Sequence, residues 1–201
     1  MRAAHYLSSL GWLVLGLGSH MVAAQPAAEA NNAAAQARFL QQLVHFVNWH
    51  SLPQLATDTD TRAQFCFLGS VDEQANADLS ASAENDVYLW FREQTTLANI
   101  DLHRFTEPNT LTNHWRGQYC HVIFGTYDAL QHWPVALLHD YAKRTLVLSD
   151  DLRFIEQGGM GSLSFENRRV RLYINRNILN QSDISLRSRL MQVTRFYPDE
   201  E

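Results

Sequence analysis

The stretch SDDLRFIEQGGMGSLSF, residues 149–165, holds the densest set of groups that could do chemistry: a hydroxyl, two carboxylates, then Gly158, Gly159 and Gly161. A phosphate-binding loop uses such glycines to bring backbone amides onto an anion, but it also needs a Lys and a Ser or Thr opening a helix. No Lys follows here, and SLSF alternates like a strand. A dinucleotide fingerprint fails for the same reason, because its glycines must also open a helix. The sequence therefore predicts a turn. Gly158 stops a short helix in the left-handed conformation, Gly159 extends the turn and Gly161 starts a strand. Ser149, Asp150 and Asp151 fall where a helix N-cap is expected, and their acids suit the positive end of the helix dipole.

The remaining chemistry-bearing residues are dispersed. Beyond the N-terminal segment the histidines occupy positions 45, 50, 103, 114, 121, 132 and 139, with no HxxxH pair and no cysteine cluster to hold a metal. His45 and His121 read as core or surface histidines, and no metal or cofactor is expected. The members of a Ser-His-Asp set are distant in any sequence, but the GxSxG elbow that often marks one does not occur. No catalytic residue is assigned. Cys66 lies at the centre of one apolar run and Cys120 at the start of another, and an even cysteine count in an exported chain points to a pair. Their bond would close a loop of about 54 residues, worth roughly 4 kcal/mol in the chain-entropy model. Two buried thiols are the alternative. Without a CxxC motif, redox catalysis is disfavoured.

The elements that must position these groups begin after a leader. Residues 1–24 have a basic start, an apolar core of about 12 residues, too short to span a bilayer, and small residues before a cut after Ala24. This is the pattern of a secretory signal peptide, so the mature protein is expected to be exported. Residues 25–37, QPAAEANNAAAQA, read as a linker that becomes helical near its end, and 38–197 as one domain. The chain carries 16 basic and 21 acidic residues; loss of Arg2 with the leader leaves 15 against 21, or −6. That balance disfavours a nucleic acid or an anionic membrane as partner.

Within the domain, the spacing of Phe39, Leu43, Phe46 and Val47 predicts a helix over 38–49. Strands are expected at 64–69, 87–93, 100–105, 119–126 and 144–150, with a polar helix at 72–83, a helix opened by Pro134 at 133–143 and a short one at 150–157. Residues 162–175 form a hairpin turning at Glu166-Asn167-Arg168, and a last helix over 184–196 shares the face of Leu186, Leu190 and Val193. Alternating strands and helices followed by a hairpin indicate an α/β fold: a single-domain, three-layer-like sandwich with a mixed sheet, a C-terminal β-hairpin and a helix.

The ordered set FVNW (46–49), QFCFLG (64–69), YCHVIFG (119–125), TLVLSDDLRFIEQGGMGSLSFENRRVRLYIN (145–175) and a closing helix with SRLMQV resembles the YfiR/HmsC-like family of small exported bacterial proteins. Its most specific part is the strand, acidic turn, F-x-x-x-G-G, hairpin and x-I-N succession. Members resemble this chain in a helix ending in Trp, here Trp49, and in a cysteine pair matching Cys66 and Cys120. The second pair that some members use for redox control has no counterpart. The resemblance implies a non-enzymatic periplasmic repressor. Such a protein binds the periplasmic sensory domain of a membrane-bound diguanylate cyclase and lowers cyclic-di-GMP and biofilm signalling.

Two binding arrangements are expected from the residues themselves. Met160 at the glycine turn and Tyr173 on the hairpin could present an adaptable apolar contact to a partner protein or to a second copy in a homodimer. Trp49 and Arg187 could flank a cleft for a carboxylate-bearing small-molecule effector. The second arrangement fits the alternative function, a periplasmic small-metabolite sensor or transport accessory binding protein.

Overall fold

The structure, a computed structural model, describes residues 25–52, 62–69, 87–94 and 100–197. The signal peptide expected over 1–24 and the polar helix expected over 72–83 lie outside the described residues. The central strand β2 (Ala63–Leu68) is buried along its whole length, as a parallel strand covered on both faces must be. It lies between β3 (Ile100–Phe105) and β4 (Val122–Gly125), and the sheet continues through β5 (Leu146–Ser149), β6 (Gly161–Glu166), β7 (Arg169–Asn175) and β9 (Thr194–Tyr197). The order is β3-β2-β4-β5-β6-β7-β9, parallel throughout except for the antiparallel β6–β7 hairpin.

Alternation along β2 assigns the two faces. Phe65 and Phe67 meet Phe91 of α2 (Val87–Gln94), with ring centroids 4.8 and 5.4 Å apart. Helix α1 (Gln25–Leu43) packs on α2 and on the hairpin, completing that layer. Cys66 points the other way, in register with His103 of β3 and near α3 (Pro108–Gly117), whose His114 ring lies 4.3 Å from that of His103, tilted by 47°. A four-residue turn of helix, α4 (Tyr127–Leu130), follows β4 and leads to α5 (Val135–Ala142). Helix α5 lies beside α3, where Tyr141 and Thr112 share a hydroxyl hydrogen bond of 3.0 Å. Helix, sheet and helix thus give the expected three layers and mixed sheet.

Four local expectations change. The predicted helix over 38–49 ends at Leu43, and Val47–Trp49 is strand β1, paired antiparallel with β8 (Ile184–Leu186). Phe46, Val47 and Trp49 satisfy both periods, and pairing with a strand about 140 residues later decides between them. The predicted strand 87–93 is the helix α2, whose buried Val87 and Phe91 stand four residues apart. The predicted closing helix divides into β8, a single turn α8 (Ser188–Met191) and β9. Leu186 and Leu190 are buried there, but Val193 is 51% exposed. The stretch read as a linker is helical from Gln25; Ala33, Ala34 and Ala37 are buried, and Gln36 Nε2 donates to the Leu163 carbonyl at 2.8 Å.

The glycine turn forms as expected. Gly158 has φ of 89°, ending α6 (Arg153–Glu156), and a Cβ on Gly159 would lie 2.4 Å from the Phe154 ring. At the hairpin, Asn167 and Arg168 have φ of 50° and 63°, the positive pair that a two-residue I′ turn requires.

Candidate functional site

Ser149, Asp150 and Asp151 spend their polar atoms on local structure. Asp151 Oδ1 accepts from the Arg153 amide at 2.8 Å and its Oδ2 meets the Arg153 guanidinium at 2.6 Å, which holds this carboxyl below its usual range. Asp151 thus makes a turn just ahead of α6, while the N-cap position itself is Leu152, which has no side-chain capping bond, so the expected N-cap falls on none of the three. Asp150 turns away and accepts from the Tyr127 amide at 2.7 Å, at the start of α4. Burial pushes its carboxyl up, opposed by hydrogen bonds from Tyr127 and Ser149.

Trp49 is 3% exposed; its Nε1 donates to the His121 carbonyl at 3.0 Å and its ring meets the His121 ring edge-on at 5.3 Å. His121 is itself buried, with Nδ1 accepting from the Gln64 amide at 3.0 Å, so it is the core histidine the sequence indicates. Arg187 is exposed and its Nε donates to Asn48 Oδ1 at 3.0 Å. The cleft expected between Trp49 and Arg187 is not there, because one side chain enters the core and the other faces solvent across the β1–β8 ribbon. Met160 is 1% exposed and cannot present itself to a partner: flanked by glycines, it turns inward and fills the core. Tyr173 is half-buried; its hydroxyl donates to Glu166 at 2.6 Å and accepts from Arg195 at 3.1 Å. It does not meet Met160, Trp49 or Arg187 in one site.

Two surfaces that sequence reasoning missed stand beside these positions. A groove of about 430 Å³ runs between α1 and α8, lined by Phe39, Leu43, Phe46, Leu190 and Val193, with Arg189 5.9 Å above the Phe46 ring. The Phe39 and Phe46 spacing was its signal, but the spacing was assigned to a single long helix. At and beside its rim, Met191 of α8, Val193 and Tyr197 of β9 are 49, 51 and 40% exposed.

On the α3 face, Cys66 and Cys120 form a disulfide with Cα atoms 5.8 Å apart, closing 54 residues. A polar row runs along the sheet beneath α3. Arg62 pairs with Asp101 at 2.7 Å, Gln64 Nε2 donates to Asp101 at 2.8 Å, and Gln64 Oε1 takes a hydrogen bond from His103 Nε2 at 2.8 Å. Burial pulls the His103 imidazole below its usual value, with Asp101 opposing; burial and then the nearby His103 do the same to His114. His114 Nε2 is buried, and no group among the described residues hydrogen-bonds it.

A comparison with curated proteins returned no match. The same strands, disulfide, glycine turn and hairpin lie inside a match to the YfiR/HmsC-like family that runs over residues 33–195. The match begins within α1 and ends within β9, covering nearly all of the three-layer sandwich, and on it the chain belongs to the YfiR/HmsC-like family.

Proposed function

We propose that this protein is a non-enzymatic periplasmic regulator that binds the periplasmic sensory domain of an inner-membrane diguanylate cyclase and represses it. The family match over 33–195 carries this reading. The exposed apolar trio Met191 of α8, Val193 just before β9 and Tyr197 on β9, the last strand of the sheet among the described residues, supports it, because large apolar side chains with flanking arginines suit a protein partner. Deletion of the gene is expected to raise cyclic-di-GMP, and the mature protein to co-purify with the cyclase's periplasmic domain. Unchanged cyclic-di-GMP on deletion, with no complex, would overturn the proposal. Val193→Asp, on an already exposed side chain, is expected to leave the fold intact and weaken that complex about tenfold, as loss of one well-packed contact does.

The groove between α1 and α8 favours a second reading, a small-metabolite sensor or transport accessory. Its apolar walls and single overlying guanidinium suit a ligand with an apolar body and a carboxylate. Melting shifts against a panel of such acids, abolished by Arg189→Ala, would select this reading.

A further inference from the structure

We propose that the Cys66–Cys120 disulfide and His114 form a two-state centre: a covalent bond when oxidised and a soft-metal site, Zn²⁺ or a metal of similar preference, when reduced. One imidazole nitrogen of His114 and the two sulfurs all lie within 4.8 Å of one another. Three tetrahedral ligands around zinc, with Zn–S about 2.3 Å and Zn–N about 2.0 Å, stand roughly 3.5–3.8 Å apart. Once the S–S bond breaks, the sulfurs must part to non-bonded separation, while the imidazole already stands within reach of both. Both cysteines are fully buried, His114 is half-buried, and among the described residues no group hydrogen-bonds its buried Nε2, which is left as an unused ligand atom. Three protein ligands leave a fourth position open. His103 stands behind His114 and donates to Gln64, which keeps it on the sheet.

The sequence hides this set because its members lie on β2, on α3 and just before β4, with no local spacing to mark them. The conversion balances with a dithiol as reductant. The dithiol's two thiols become its own disulfide, the protein S–S bond breaks to two thiols, and metal binding releases their two protons. The inference stands on the geometry of the cluster and is independent of any cyclase partner.

The test uses the mature protein reduced by a phosphine, which competes for Co²⁺ and Zn²⁺ far less than a dithiol does, removed before titration, and Co²⁺ as a coloured probe. One equivalent of Co²⁺ is expected to give thiolate-to-cobalt charge transfer with tetrahedral visible bands, bleached by Zn²⁺. The oxidised protein should give none. His114→Ala should weaken binding on the order of tenfold or more, as loss of a ligand or its support does, with circular dichroism confirming that the variant is folded. Should reduction unfold the chain, Zn²⁺ is expected to restore the fold. Absence of the charge-transfer band in reduced folded protein, a band unchanged by His114→Ala or Cys66→Ser, or unfolding that Zn²⁺ does not reverse would each overturn the proposal.

Discussion

Met160 and the two cysteines show how far a residue's type alone reaches. A methionine between glycines suits an adaptable surface contact, yet Met160 is enclosed because the chain around it must close onto β5 and β7. Met160→Ala is therefore expected to lower stability by about 2–5 kcal/mol, the range for emptying a core site; urea denaturation checks this, and an unchanged midpoint would return Met160 to the surface. For the disulfide, residue type and even count were enough to suggest the pair, and the structure closes it. Replacing both cysteines by Ala should cost about 2–5 kcal/mol. A midpoint within error of wild type would show that the cross-link contributes nothing.

At the scale of elements, the hairpin turn was legible to within a residue because alternation on both arms leaves only a few positions for it. Its I′ geometry places Arg168 at φ of 63°, a conformation that an arginine adopts at a cost of about 1 kcal/mol. Arg168→Gly is expected to raise the melting temperature slightly, and a fall would mean that the arginine side chain contributes more than the backbone conformation costs. The α3 face should give the fold a pH dependence. His103 and His114 have lower pKa values in the native state than in the unfolded chain, so below about pH 6.5 the unfolded chain takes up protons first. Stability should then be constant above that value and fall as pH drops through it. Asp150, whose native pKa is raised, acts with the opposite sign in the more acidic carboxylate range. Replacing His103 and His114 together by Gln should flatten the loss between pH 7 and 5 in melting curves; an unchanged slope would exclude the pair as its source.

Taken as a whole, the molecule needs its N-terminal helix. With Ala33, Ala34 and Ala37 buried and Gln36 bonded to the hairpin, removal of residues 25–37 should lower the melting temperature by several degrees, whereas a linker could be removed without effect. The three-layer arrangement was readable because most strands and helices announce themselves by short apolar runs, Pro134 and the glycine stops. Elements of mixed period were not. The aromatic run 87–91 and the segments 46–49 and 184–197 fit helix and strand alike, and distant partners decided them: β2 for α2, β8 for β1 and β7 for β9. What the sequence by itself determined is whatever rests on neighbours in the chain: the glycine turn, the hairpin and the alternation of elements that sets the α/β class, with the cysteine pair suggested by an even count alone. The tertiary structure alone decided which side chains face inward and which meet, from the burial of Met160 to the meeting of His114 with Cys66 and Cys120. Such contacts are set by strand register and layer packing between residues far apart in sequence, which no local spacing records.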